Sequence, residues 1–246
     1  MGYCKTQAIT LRRRDYSNSS QIATFYTRTY GKIRALAKGS KRAGKKSPGS
    51  IDLLSYMEIV FVKKESMGLH PLTEWEPLRD FPTFRKDIER LYAACHVVGL
   101  VDELTEEGDK NEPLFDLILD TFCSLSQTKD ADITLRAFEL QMLKLLGYLP
   151  QLEECVNCGT GFGRDHRAAF SPVGNGLLCK RCVGGETHQS LSPGALRAAV
   201  FLASSSTTTR GRLHLPHEVS EELRVLSHGC ITFALNRPVE MRKFGR

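Results

Sequence analysis

Two C-x-x-C pairs, Cys155/Cys158 and Cys179/Cys182, constrain this chain more than any other feature of its sequence. Twenty residues separate the pairs, the upper edge of the spacing found in four-cysteine zinc sites. Each C-x-x-C turn aims two thiolates at one point, and two such turns build a tetrahedral cage with sulfur about 2.3 Å from the ion. Gly159, Gly161 and Gly163 follow the first pair, and Gly174 and Gly176 precede the second, where the backbone has to turn tightly. Lys180 and Arg181 lie inside the second pair and would offset the negative charge of the cage. Cys155, Cys158, Cys179 and Cys182 are therefore expected to hold one structural Zn2+ with no position left for water or substrate. Four free or redox-active thiols are the alternative. His166, between the pairs, reads as a surface-loop histidine rather than a replacement ligand.

The other four cysteines, Cys4, Cys95, Cys123 and Cys230, are scattered and behave as small hydrophobes, unlike the even pattern of a secreted disulfide scaffold. Met1 to Arg14 holds no apolar signal segment, and no run of 18 apolar residues exists. A cytoplasmic protein without a membrane span is expected.

Charge is distributed unevenly. Residues 1–50 carry twelve Lys or Arg against one acid, Asp15, whereas residues 81–150 carry seven bases against thirteen acids. A positive lobe and an acidic lobe suggest different partners for each, an anionic one for the first. In the first lobe, Arg12, Arg13, Arg14, Arg28, Lys32, Arg34, Lys38, Lys41, Arg42, Lys45 and Lys46 lie near Tyr16, Tyr26 and Tyr30. Bases with aromatics on a sheet suit single-strand binding by phosphate contact and base stacking. A solvated charged face is the plainer reading, and each aromatic taken singly is more often core.

Periodicity divides the chain near residue 80. Ile9 and Leu11 alternate with Thr10 and Arg12, and Ile33, Ala35 and Ala37 alternate with Lys32, Arg34 and Lys38. Ser19 to Arg28, Ile51 to Val62 and Met67 to Leu78 read as further strands, with a basic loop from Gly39 to Ser50. Five short strands suit a small closed barrel such as an OB-fold. After Pro82 the period turns helical, with Phe84, Ile88, Leu91, Cys95 and Val98 along one face. Glu112-Pro113 opens a second helix, Asp130 to Leu146 forms a third that stops at Gly147, and Ser192 to Ala203 and His217 to Leu235 form two more. The expected class is α+β multidomain: an N-terminal five-stranded OB-fold barrel over 1–80, then an α-helical domain over 81–246 carrying a Cys4 zinc module at about 151–185.

No P-loop, dinucleotide glycine fingerprint or G-x-S-x-G elbow is present, and Glu106-Glu107, Glu153-Glu154 and Glu221-Glu222 are adjacent residues that do not face each other. A zinc deaminase would need H-x-E followed by P-C-x-x-C; Cys155 follows Glu154, and no H-x-E occurs. The chain reads as a non-enzyme. A zinc-ribbon protein binding RNA is compatible with the same composition.

Several stretches resemble a known family. Ala8-Ile9-x-Leu11-Arg12-Arg13-Arg14-Asp15-Tyr16, then Tyr30-Gly31-Lys32-x-Arg34-Ala35-Leu36-Ala37-Lys38-Gly39-x-Lys41-Arg42, is similar to the start of RecO proteins. Arg136-Ala137-Phe138-Glu139-Leu140, Leu145-Leu146-Gly147-Tyr148-x-Pro150 and Cys155-x2-Cys158-Gly159 resemble their centre, and Asn236-Arg237-Pro238 with Arg242-Lys243-Phe244 their end. The resemblance implies a bacterial, nucleoid-associated recombination mediator in DNA repair. Such a protein binds single- and double-stranded DNA, anneals complementary strands and loads RecA onto strands coated with single-strand-binding protein (SSB), working with RecR and often RecF. It implies a DNA surface of Arg14, Lys32, Arg34, Lys38, Lys41 and Arg42, and it is the main support for a groove on the apolar faces of residues 81–150 that takes the SSB C-terminal tail.

Overall fold

The computed structural model describes residues 2–42, 49–63, 68–128, 130–163, 167–184, 188–206 and 213–237. Two compact units divide after Ser126.

The first unit opens with β1 (Gly2–Asp15), β2 (Gln21–Thr27), β3 (Gly31–Ala37), β4 (Tyr56–Lys63) and β5 (His70–Arg79), closed into a barrel in the order β1-β2-β3-β5-β4. All neighbours are antiparallel except β3 and β5, which run parallel over Ala35–Ala37 and His70–Leu72. This is the five-stranded OB arrangement expected from the strand count. Ala8, Phe25, Ile33, Ala35, Ile59, Phe61 and Trp75 fill its interior. The alternation of β3 holds, with Ile33, Ala35 and Ala37 buried and Arg34 exposed. That of β1 does not: Ala8, Ile9, Thr10 and Leu11 are all buried. One face of β1 lines the barrel, the other is covered by packing outside it, and the register slips between Thr10 and Arg12.

Outside the barrel lie α1 (Thr83–Lys86), α2 (Ile88–Leu104) and α3 (Glu112–Gln127). One continuous apolar face from Phe84 to Val98 is not what forms. Asp87 interrupts it by accepting hydrogen bonds from the Glu89 and Arg90 amides, at 3.1 and 3.2 Å, and so starts a new helix. The phase shifts: Ile88 is 60% exposed, while Ala93, Ala94, Val97, Val98 and Val101 are buried. Phe115 of α3 packs on Tyr56 of β4 at 6.3 Å between centroids and lies under the Arg28 guanidinium. These contacts, with those of α2 on β1, make the barrel and its first helices one unit, although strands give way to helices near residue 80.

Gly31, in the turn after Tyr30, has φ +65°, and a Cβ there would meet the Asp109 carbonyl oxygen at 2.2 Å. Gly31→Ala should therefore cost roughly 3 kcal/mol, from the left-handed backbone and the collision together. Urea unfolding measures it, and a loss under about 1 kcal/mol would show that the 108–109 loop yields freely.

The second unit contains α4 (Ala131–Leu145), a three-stranded sheet of β6 (Ala168–Ser171), β7 (Gly176–Leu178) and β8 (Gln189–Leu191) in the order β7-β6-β8, then α5 (Pro193–Leu202) and α6 (His217–Leu235). Asp130 and Ser192 cap α4 and α5, and Gly147 takes a left-handed φ of +80° just past α4, as their residue types predict. Every residue from Ile133 to Leu140 is buried, so α4 is the central helix of this unit. On α6, Leu223, Leu226 and Cys230 are buried as expected, and Phe233 is largely exposed. Phe170 of β6 occupies a notch made by Gly229 of α6, where a Cβ would lie 2.4 Å from the ring. No helix among the described residues is long and apolar enough to cross a membrane.

Candidate metal centre and nucleic-acid interface

The four paired cysteines converge. Every pair of their sulfurs lies within 4.8 Å, and Cys158 Sγ and Cys179 Sγ are 3.7 Å apart. A tetrahedral cage with 2.3 Å bonds needs about 3.8 Å between sulfurs, so the arrangement can hold a metal ion. The first knuckle is the tip of a small hairpin: Glu154 bridges Gly161, the Phe162 amide donates to the Glu153 carbonyl at 2.7 Å, and the Cys155 amide donates to that of Thr160 at 2.9 Å. Gly159, at φ +67°, donates to the Cys155 carbonyl at 2.8 Å and closes the turn. The Val156 amide donates to Leu177 at 2.9 Å, which moors this hairpin to the edge of β7. The second knuckle leaves the end of β7, where the Cys182 and Val183 amides both donate to the Cys179 carbonyl. His166 lies outside the described residues.

The donor chemistry fits a cation. Hydrogen bonding to Thr160, first its side chain and then its amide, draws the Cys158 thiol down to about 6. Burial opposes ionisation of Cys155, yet the amides of Cys179, Asn157 and Cys158 outweigh it and its pKa falls. The thiols of Cys158 and then Cys179 push Cys182 up to about 12. Four sulfurs this close cannot all ionise without a positive charge between them, and a divalent ion resolves the conflict. By contrast, burial pushes the Cys230 thiol up to about 12 and leaves it inert packing.

The basic residues separate into two groups. One is tied to acids of the same compact unit. Arg12 pairs with Asp102 and Glu103, Arg28 with Asp116, and Arg34 Nε with Glu107 at 2.6 Å. Lys32, whose side chain is only 11% exposed, faces the end of α2: its ammonium donates to the carbonyls of Asp102, at 2.7 Å, and of Thr105, and lies 3.5 Å from the Asp102 carboxylate. A cation there satisfies the orphan carbonyls and negative dipole of a helix C-terminus. The positive arm and part of the acidic segment thus meet rather than forming two separately charged ends, and Lys32 is spent on the fold.

The second group gathers at one end of the β1–β2–β3 meander. Arg14 stands in register with Ile22, which pairs Leu36. The loops after β1 and β3 are stitched together: the Lys41 amide donates to the Ser19 carbonyl at 3.2 Å, and the Lys41 ammonium meets Asp15 at 2.6 Å. Arg13, Arg14, Lys38 and Arg42 are exposed and make no ion pair among the described residues. Lys45 and Lys46 lie outside the described residues. Of the aromatics near the bases, Tyr26 is buried, Tyr16 is exposed and Tyr30 is half-buried.

Comparison with known proteins shows the family. Residues 1–81 match the model of Recombination protein O N terminal and residues 85–243 that of Recombination protein O C terminal. The chain is 32% identical over 228 residues to a DNA repair protein RecO of Bacillus pumilus, covering 91% of this chain and 86% of that one. It is 37% identical over 199 residues to the DNA repair protein RecO of Rhodopirellula baltica, covering 80% and 74%, and 30% identical over 241 residues to that of Pelotomaculum thermopropionicum, covering 98% and 92%. The chain belongs to the Recombination protein O family.

Proposed function

We propose that the protein is a recombination mediator in DNA repair that works by binding rather than by covalent chemistry. It holds single- and double-stranded DNA, anneals complementary strands and, with RecR and in many settings RecF, helps load RecA onto SSB-coated strands. Family membership and the names of its relatives support the repair role. The observation that carries the DNA reading is the cluster of Arg14, Lys38 and Arg42, joined by Arg13 and by Lys41 on its Asp15 tether, at one end of an OB-type barrel. Arg34, four residues before Lys38 on the exposed side of β3, is held by Glu107, and Lys32 drops out of the cluster. Zn2+ in the four-cysteine cage is structural in this reading, because four thiolates complete its coordination. The cage, the three-stranded sheet and Phe170 against Gly229 would then form one metal-dependent module on the helical part of the chain. The SSB C-terminal tail remains the expected occupant of the apolar helical surface within 81–150.

Phosphate contacts add affinity without reading sequence, and each adds a slope of about −0.7 in log K against log salt for single strands. Lys38→Glu with Arg42→Glu should weaken binding to unrelated oligonucleotides alike, flatten the salt dependence and slow annealing of SSB-coated strands, with the melting temperature unmoved. Unchanged affinity and slope in the double variant would place the DNA track elsewhere, with Lys180 and Arg181 beside the second knuckle as the next candidates.

A further inference from the structure

The barrel closes over only a short stretch along one seam. β3 pairs with β5 only over Ala35–Ala37, while at the other end of β3 its edge meets a loop instead: Lys32 bridges Glu107, and the Gly108 amide donates to the Lys32 carbonyl at 2.8 Å. A cleft of about 280 Å3 opens there, lined by Tyr30, Ile33, Phe61, Lys63, His70 and Lys110 among others. We propose that this cleft receives one unpaired nucleobase of a single DNA strand. The proposal rests on the DNA reading and specifies which form of DNA the barrel prefers.

Three observations support it. The cleft is aromatic: Phe61 meets Tyr30 edge-on at 5.4 Å and His70 at 5.3 Å between centroids. The Lys63 ammonium lies over the Tyr30 ring, 5.7 Å from its centroid, and a base stacking on that face would displace the lysine towards its own phosphate. The rim is cationic. Lys63 and Lys110 line it, Lys110 paired with Glu112, and Arg34 approaches the opposite lip, its Nη2 3.6 Å from where a Cβ on Gly68 would stand and its Nε on Glu107, the one acid among the described lining residues. Arg34, exposed on β3, lies in sequence between the cleft residue Ile33 and Lys38, just past the end of the strand. The volume sets the occupant. Pockets for drug-sized ligands span about 300–1,000 Å3, so 280 Å3 suits one ring system with part of its sugar and not a dinucleotide. A base held in a duplex cannot turn into such a cleft without being unpaired. The phosphate track grips both forms of DNA, and the cleft adds affinity only for the single strand.

The test compares single-stranded and duplex DNA on the full-length protein. Tyr30→Leu should weaken binding of oligothymidine about five- to 100-fold, the range for one lost base stack, and leave duplex affinity within about twofold. Because Tyr30 also packs on the barrel, wild-type protein is crosslinked in parallel to iodouracil-substituted single strands. Adducts on Tyr30 or His70 support the proposal. Equal loss for both DNA forms, or adducts confined to residues away from the cleft, overturns it. Lys38→Glu/Arg42→Glu separates the two levels. If that variant abolishes binding while Tyr30→Leu changes nothing, the track stands and the cleft falls; if wild-type protein binds neither DNA form, both fall.

Discussion

Removing the metal should unfold the module between residues 152 and 184 and leave the barrel intact. A metal in the four-sulfur cage would be the main tie across this segment: the first knuckle is held by a short hairpin and by one amide to β7, and the second hangs from the end of a three-residue strand. Without an ion the sulfurs oppose one another, with Cys158 drawn towards its thiolate and Cys182 held as its thiol. Structural zinc in small modules contributes about 10–16 kcal/mol of apparent binding free energy, far more than such a segment gains from its own packing. Cys155→Ser, at a nearly fully buried position, should therefore release the metal and raise amide exchange across both knuckles and β6 to β8. Because Phe170 of β6 fills the Gly229 notch of α6, the loss should spread to that helix. Exchange in β1 to β5 should stay at the wild-type level. Native mass spectrometry of protein purified without chelator should show one zinc per chain. No metal, with all four thiols freely titratable, would return the cage to four reduced cysteines.

The convergence of the four cysteines was legible in the sequence because C-x-x-C spacing is local chemistry: two residues between thiols dictate a turn, and two turns can face each other. The barrel was legible for a related reason, since β3 keeps one face inside and one outside and its alternation survives. What escaped depends on partners distant in sequence. Lys32 and Arg34 belong to a basic run, and nothing near them announces that Asp102 and Glu107, some seventy residues on, will take them up. β1 lost its alternation because a second layer covers its outer face. The α2 face shifted because Asp87, unremarkable in the apolar pattern, supplied a cap that restarted the helix. The seam cleft depends on where β3 and β5 stop pairing, which no residue pattern marks.

The segment Arg136-Ala137-Phe138-Glu139-Leu140 also has a structural role that sequence alone did not show. Arg136 and Glu139 are 3% and 1% exposed, on the central helix of their unit, with Arg136 Nη1 2.5 Å from Glu139 Oε2. Ser227 of α6 completes a triangle: its hydroxyl donates to the same carboxylate oxygen at 2.6 Å and accepts from Arg136 Nη1 at 3.1 Å. Asp132, one turn earlier, lies 3.5 Å from Arg136 Nε. Desolvating two charges can cost as much as their attraction returns, so the pair as a whole adds little net stability, but either ion left alone in that interior is expensive. Glu139→Ala should therefore destabilise the second unit by roughly 3–5 kcal/mol, a fall of roughly 12–20 °C in its Tm. Arg136→Met combined with Glu139→Leu, which removes both charges and refills the space, should recover most of that loss. The coupling between the two sites then exceeds what independent substitutions would give. The pair also orients α4 against α6, the helix whose Gly229 notch receives the metal module, so Glu139→Ala should loosen amide exchange in β6 even with the cysteines intact. A single variant within about 1 kcal/mol of wild type would show that water reaches the guanidinium and that the triangle carries no such role.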